Sequence, residues 1–86
     1  MESNGMRYVK VYTTPMCPWC QMAKDFLRQQ GVNFEEINVD SDQGAARDMI
    51  DKSGQMSVPV IDIDGYIIIG YDEREITTAL DWIKPD

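Results

Sequence analysis

Apolar and polar residues alternate along this chain with a period that switches between two and about 3.6 residues. Runs rich in β-branched and aromatic residues predict four strands: Tyr8–Thr14, Asn33–Asp40, Ser57–Asp64 and Tyr66–Gly70. Apolar residues at helical spacing predict three helices: one from Pro18 to a stop at Gly31, one around Ala45–Ile50 that ends at Gly54, and one from a cap at Asp72 through Ile83. The predicted order is therefore β-α-β-α-β-β-α.

This order predicts an α/β fold. A helix joins the first two strands, so these should be parallel with a right-handed crossover. The Asp64-Gly65 turn makes the last two strands an antiparallel hairpin. One mixed four-stranded sheet covered by three helices is the economical arrangement. We expect a single domain over residues 7–84, preceded by a short polar tail at residues 1–6.

Charged residues are assigned to solvent-facing surfaces. The outward face of the first helix is predicted to carry three of them: Lys24, Asp25 and Arg28. A run of acids is interpreted as a solvated face: Glu35, Glu36, Asp40 and Asp42. Acids outnumber bases by 15 to 8, which gives a net charge of −7 and argues against a nucleic-acid partner.

The chain has no run of 18 apolar residues, so no membrane span is expected. Its N-terminus, MESNGMR, lacks the basic and apolar regions of a signal peptide. We therefore expect a cytoplasmic protein, and stable structural disulfides are rare in that compartment.

Two cysteines, Cys17 and Cys20, are the only ones in the chain, and histidine is absent. A structural zinc site needs four Cys or His ligands, so one chain cannot close such a site with thiolates and imidazoles. Two chains that share four cysteines could, and this alternative stays open. The lack of histidine also excludes a Cys–His nucleophile pair.

The position of the two thiols predicts reversible redox chemistry. Cys17 lies at the predicted start of the first helix, where free N–H groups and the helix dipole stabilise a thiolate. Pro18 suits the first helical position. Cys20 begins the apolar stripe, so it should be buried. An exposed first thiol and a shielded second thiol suit thiol–disulfide exchange.

Pro59 interrupts the predicted third strand, where a proline is unusual because it has no N–H to donate to the ladder. One interpretation is an edge strand, in which the missing N–H does no harm. The other is a cis Val58–Pro59 bond that turns the backbone of Val58 toward the thiols. An extended peptide would then pair with Val58.

Several segments together resemble the glutaredoxin-like branch of the thioredoxin fold. They are VYTTPMCPWC, QMAKDFL, FEEINVD, SVPVI and GYDEREI, which stand in family order. The resemblance covers the chain from about Tyr8 to Ile83. The resemblance implies that Cys17 is the nucleophile and Cys20 the resolving thiol. It also implies a substrate-binding set: Thr14, Pro18, Trp19, Val58, Pro59, Tyr71 and Asp72. For Asp72, helix capping explains the residue without any ligand. The same helix start could also receive a substrate carboxylate through its N–H groups, and both roles can hold together.

Departures from the family pattern concern the electron donor. Glutathione-using glutaredoxins usually carry Lys or Arg three residues before the nucleophile, and Thr14 stands there in this chain. The aromatic Tyr71 after Gly70 is similar to the NrdH-redoxins, which donate electrons to ribonucleotide reductase. The resemblance thus implies a thioredoxin-reductase-like or ferredoxin-linked reductase as donor, with glutathione at most a weak one.

The expected function is that of a monomeric thiol–disulfide oxidoreductase whose redox group is the Cys17–Cys20 disulfide, with no metal and no prosthetic group. Its substrate is a protein disulfide, and ribonucleotide reductase is one candidate. Two alternatives remain open: a dimeric iron–sulfur or zinc carrier that shares cysteines between chains, and a non-catalytic redox-sensing binding module.

Overall fold

The computed structural model describes residues 9–82, with only the backbone of Trp82 included. The predicted tail at residues 1–6 lies outside the described residues, as do both ends of the predicted domain. Strands and helices follow the predicted order: β1 Val9–Thr13, α1 Pro18–Gln29, β2 Glu35–Asn38, α2 Gln43–Ser53, β3 Val60–Ile63, β4 Tyr66–Ile69 and α3 Glu73–Trp82. Among the described residues, each strand ends within its predicted range.

The four strands form one mixed sheet in the order β2-β1-β3-β4. β1 and β2 are parallel, with Thr13 opposite Asn38, as the helical crossover predicts. β3 runs antiparallel to both β1 and β4. The tight turn between β3 and β4 places Asp64 and Gly65 at positive φ, 51° and 95°. The predicted hairpin is confirmed.

Helices cover both faces of this sheet. α1 and α3 pack on one face, and the larger apolar cluster between them and the sheet includes Leu27, Ile63 and Ile76. α2 packs on the other face, where Tyr12, Met49 and Val60 form a second cluster. The alternation of side chains along β1 sends Val11 to the first cluster and Tyr12 to the second.

The second face carries a polar network that sequence analysis did not predict. The ammonium of Lys52 donates to Asp62 Oδ2 at 2.7 Å and to the Tyr12 hydroxyl at 2.9 Å. Tyr12 in turn donates to Asp48 Oδ2 at 2.6 Å. These contacts tie α2 to the two central strands, and they raise the pKa of Lys52.

Lys24 is buried, which corrects its predicted place on the outward face of α1. The residues of α1 that are buried are Cys20, Ala23, Lys24 and Leu27. Lys24 follows Cys20 by four positions and so falls on the same helical stripe. Its stem is covered, and its Nζ reaches Glu36 Oε2 on β2 at 2.7 Å.

The acids predicted to be solvated are all exposed, and two of them also have partners. Glu36 is the partner of Lys24, and Asp42 caps α2 by accepting the backbone N–H of Ala45 at 3.0 Å. The helix ends at Gly54 with a φ of 76°, in the left-handed region that glycine adopts without strain.

Pro59 lies immediately before β3 and not inside it. Since proline has no N–H to donate, the ladder starts at Val60. β3 is a central strand, so the edge-strand interpretation was wrong. Across residues 9–82, no helix is long and apolar enough to cross a membrane.

Candidate active site

The loop between β1 and α1 presents Cys17. The backbone N–H of Cys17 reaches the carbonyl of Thr14 at 3.4 Å, which closes a turn through Pro15 and Met16. Cys17 has extended backbone angles (φ −105°, ψ 108°) and is the N-cap of α1, with Pro18 at the first helical position. The predicted place of both residues is confirmed.

The sulfur of Cys17 takes the role that an oxygen usually plays in a helix cap. Cys17 Sγ accepts the backbone N–H of Cys20 at 3.1 Å. On its other side, the same sulfur lies 3.9 Å from the carbonyl oxygen of Val58, toward which the thiol can donate. An N–H directed at the sulfur stabilises negative charge there, as does the helix dipole.

The two thiols differ in their surroundings, and both are free. Cys17 is half-buried, whereas Cys20 has no exposed surface. Burial raises the pKa of Cys20, and its hydrogen bond with Cys17 adds to the increase. Hydrogen bonds with the Thr14 backbone and the Thr13 side chain oppose part of this increase. At neutral pH Cys20 is therefore the protonated, shielded thiol.

Thr13 is a residue that sequence analysis missed. It is the last residue of β1, is 1% exposed, and shares a face of the strand with Val9 and Val11. That face packs against α1, so the Thr13 hydroxyl comes to lie beside Cys20. The period of two along β1 was a signal that could have found it.

The segment before β3 approaches the thiols as predicted. The Val58–Pro59 peptide bond is cis. The Pro59 carbonyl accepts the backbone N–H of Gly70 at 2.8 Å, which joins the turn after β4 to this segment. Cys17, Val58 and the turn that begins at Gly70 thus lie together at one end of the molecule.

Tyr71 and Asp72 follow that turn. Asp72 caps α3 by accepting the backbone N–H of Glu75 at 3.1 Å, so the capping interpretation is confirmed. The Tyr71 hydroxyl donates to Glu73, and its ring meets the edge of Phe26 on α1 at 6.4 Å between centroids. These contacts direct Tyr71 toward α1.

The two segments that carry Cys17 and the Val58–Pro59 bond expose large apolar side chains. Met16 is 87% exposed, Trp19 57% and Met56 77%. The segments Val11–Ala23 and Ser53–Ile61 contain no Lys, Arg, Asp or Glu. Thr14 is half-buried and stands at the position where glutathione-using glutaredoxins usually carry Lys or Arg.

No group of three or more His, Cys, Asp or Glu side chains is placed to hold a metal ion anywhere in the part of the chain that the structure describes. What the site offers is an accessible sulfur at a helix start, with a second, buried sulfur one turn away.

Comparison with known proteins agrees with this arrangement. The family model described as Glutaredoxin matches residues 9–68, which include both cysteines and the Val58–Pro59 segment. The chain belongs to the glutaredoxin family. It is therefore a glutaredoxin-like thiol–disulfide oxidoreductase, and the predicted family is confirmed.

Relatives of this glutaredoxin-family protein match along most of its length. Glutaredoxin 3 of Escherichia coli is 40% identical over 80 residues, which cover 93% of this chain and 96% of that protein. The crystal structure of a glutaredoxin from Archaeoglobus fulgidus superposes with a TM-score of 0.80 at 30% identity, covering 88% of each chain.

An NrdH-redoxin from Escherichia coli is also similar in structure. It superposes with a TM-score of 0.76 at 25% identity, over 92% of this chain and 97% of that one. That protein is described as glutaredoxin-like with a thioredoxin-like activity profile. These neighbours confirm the thioredoxin fold of the glutaredoxin-like branch.

Proposed function

We propose that this protein reduces disulfides of other proteins by a dithiol mechanism and is itself reduced by a protein reductase. The observation that carries the proposal is the asymmetry of the thiols. Cys17 is accessible and accepts an N–H at a helix start, whereas Cys20 has no exposed surface. Cys17 is suited to attack a substrate disulfide, and Cys20 is suited to resolve the mixed disulfide that forms.

In the first step the Cys17 thiolate attacks one sulfur of the substrate disulfide. The substrate S–S bond breaks, a mixed disulfide to Cys17 forms, and the other substrate sulfur leaves as a thiolate that takes up a proton. The first turn of α1 holds the attacking sulfur, and the apolar side chains of Met16 and Trp19 offer contact area for a protein partner.

In the second step Cys20 loses its proton and attacks Cys17 Sγ. The Cys17–Cys20 disulfide forms, and the second substrate sulfur leaves as a thiol. The substrate has gained two electrons and the protein has lost two. A reductase then returns the protein to the dithiol form.

Substrate binding is assigned to the residues at the same end of the molecule. Val58 is proposed to pair with an extended segment of the substrate, held in place by Pro59. Thr14, Pro18 and Trp19, which are neighbours of Cys17 in the chain, are proposed to contact the substrate, and so are Tyr71 and Asp72 after the Gly70 turn. The cytoplasm, with its reductases, is the compartment that suits this cycle.

A thioredoxin-reductase-like or ferredoxin-linked enzyme is proposed as the donor. Glutathione carries two carboxylates, and the uncharged segments around Cys17 offer no cation to either of them. The aromatic Tyr71 after Gly70 resembles the NrdH-redoxins, which donate electrons to ribonucleotide reductase, and this makes that enzyme a candidate substrate.

A donor assay tests the proposal. The same disulfide-containing reporter protein is supplied with one of three electron sources: glutathione with its reductase, a thioredoxin-reductase-type flavoenzyme, or a ferredoxin-linked reductase. We expect turnover with a protein reductase and little with glutathione. Fast turnover with millimolar glutathione alone would contradict the choice of donor. Failure to reduce the reporter with every donor and with chemical dithiols would contradict the function.

A further inference from the structure

A cavity of about 180 Å³ lies between α1 and α3, beyond the thiols. Its lining residues are Met22, Asp25, Phe26, Gln29, Tyr71 and Glu73. Tyr71 follows Gly70, whose N–H is bonded to the Pro59 carbonyl. The α3 side of the cavity is therefore joined to the segment that approaches Cys17.

The lining combines aromatic rings with carboxylates. Phe26 and Tyr71 meet edge to face at an interplanar angle of 73°, so their rings present surfaces at different angles. Asp25 and Glu73 supply negative charge, and none of the six lining residues is basic. Rings and carboxylates together attract a cation, and a planar guanidinium is suited to both.

Glu73 is the more available of the two carboxylates. The Tyr71 hydroxyl donates to one of its oxygens, which raises the pKa of Tyr71. A carboxylate has about four acceptor positions, so this hydrogen bond leaves capacity for a guest. Asp25 already accepts Arg28 at 3.0 Å, although that pair is exposed and such pairs are weak.

We propose that this cavity, named here the α1–α3 cavity, receives an arginine side chain of the protein substrate and so selects disulfides with a nearby arginine. The inference rests on the proposed function. The charge of the protein, −7, favours basic partners in general. The α1–α3 cavity adds a fixed position for the positive charge.

Helix geometry sets how far that arginine lies from the reacting cysteine. Along α1, Met22 is five residues beyond Cys17 and Gln29 is twelve. At about 1.5 Å per residue, the middle of the α1–α3 cavity lies roughly 13 Å from the start of the helix. An extended peptide covers that distance in about four residues. Since the arginine side chain spans part of it, the arginine should be two to four residues from the cysteine.

The experiment uses the reduced protein and pairs of disulfide peptides in a single turnover, so that no reductase is needed. Each pair differs only in arginine or citrulline, which has a similar shape without the charge, at one position from one to five residues from the reacting cysteine. At low ionic strength we expect arginine to increase the second-order rate constant about three- to tenfold at a position two to four residues away.

Two charge-matched variants separate the α1–α3 cavity from the overall charge. Glu73→Gln removes the carboxylate from the lining, and the ratio of arginine to citrulline rates should fall to near one. Glu75→Gln removes the same charge from the same turn of α3, outside the lining, and should keep the ratio. A small uncharged disulfide should react equally with all three proteins.

Equal rates for arginine and citrulline peptides at every position would overturn the inference. An arginine preference that both variants lose equally would also overturn it, because the overall charge would then be its cause. So would a preference that Glu73→Gln retains, because the carboxylate in the lining would then not be needed. Failure to reduce either type of peptide, with or without reaction of the small disulfide, would instead overturn the proposed function.

Discussion

Cys17 Sγ and the backbone nitrogen of Cys20 are 3.1 Å apart, and the N–H of Cys20 points at the sulfur. The residue whose thiol is fully buried therefore supports the sulfur that solvent can reach. The proposed nucleophile, Cys17, and the proposed resolving thiol, Cys20, thus lie within one helical turn. It makes the thiols unequal before any substrate is bound.

The first prediction follows from that inequality. Cys17→Ser should abolish disulfide reduction, because the accessible nucleophile is gone. Cys20→Ser should still attack but should accumulate a mixed disulfide with the substrate, since the resolving sulfur is missing. Non-reducing electrophoresis and mass spectrometry of each variant, mixed with a disulfide reporter protein, give the measurement.

The double variant Cys17→Ser/Cys20→Ser is the matched control and should trap nothing. Trapped complexes with Cys17→Ser, together with an inert Cys20→Ser variant, would reverse the assigned roles. Substantial steady-state turnover by Cys20→Ser would show that a second thiol in the active site is not required.

The second prediction concerns pH and the burial of Cys20. The pKa of Cys20 is raised in the folded protein, so the folded state holds its proton more tightly than the unfolded state does. The stabilising effect is complete below the unfolded pKa of about 8.5. It is lost as pH rises from there through the folded pKa, at up to about 1.4 kcal/mol per pH unit.

Urea unfolding of the reduced protein from pH 7 to pH 10 measures this effect. Cys20→Ala is the comparison, and the difference in unfolding free energy between wild type and variant should shrink as pH rises. Tyr12 also has a raised pKa, but it titrates in both proteins and cancels in the difference. A difference that stays constant over this range would contradict the prediction.

Features that depend on local pattern could be predicted from the sequence. The order of elements, the cap at Cys17, the burial of Cys20 and the Asp64-Gly65 hairpin each rest on residues close together in the chain. The cis bond before Pro59 also has a local cause, because only proline tolerates the cis form at small cost.

Features that depend on contacts between distant elements could not be predicted. Lys24 is charged, and only the approach of Glu36 on β2 explains why it is buried. Thr13 reaches Cys20 because β1 and α1 pack at a particular register. Lys52 and Asp62 are 10 residues apart and belong to different elements, and nothing in the local pattern joins them.

The third prediction tests the network around Lys52. Asp62 has 11% of its side chain exposed, so Lys52→Met leaves a largely buried carboxylate without its cation, with only the backbone N–H of Gly65 still donating to it. We expect a loss of about 2–4 kcal/mol in unfolding free energy. Asp62→Asn should cost less, and the double variant should cost less than the sum of the two.

Thermal and urea unfolding of the four proteins gives the coupling energy between the two sites. The exposed Arg28–Asp25 pair is the control, and Asp25→Asn should cost less than about 1 kcal/mol. Additive effects of Lys52→Met and Asp62→Asn would show that the two side chains do not depend on each other.

The last prediction concerns Thr14 and glutathione. A charge-assisted contact to one glutathione carboxylate contributes about 1.5–3 kcal/mol, or roughly ten- to a hundredfold in affinity. Thr14 offers a hydroxyl without charge, and Asp72 and Glu73 oppose an anion. Thr14→Lys should therefore increase kcat/KM for glutathione, by about tenfold at most, since the position is only half-buried. The increase should shrink at high salt.

A lysine far from the thiols separates this local effect from a change in overall charge. Gln30→Lys adds the same charge in an exposed position at the other end of α1, thirteen residues from Cys17. It should leave glutathione kinetics unchanged, because roughly 20 Å of helix separates it from the sulfur. If wild type turns over rapidly with glutathione and Thr14→Lys brings no gain, the missing cation is not what limits glutathione use. If kcat/KM for glutathione rises equally in both variants, the net charge of the protein controls glutathione use. Only an increase in kcat/KM that is confined to Thr14→Lys supports the view that the residue at this one position limits the use of glutathione, compared with glutathione-using relatives.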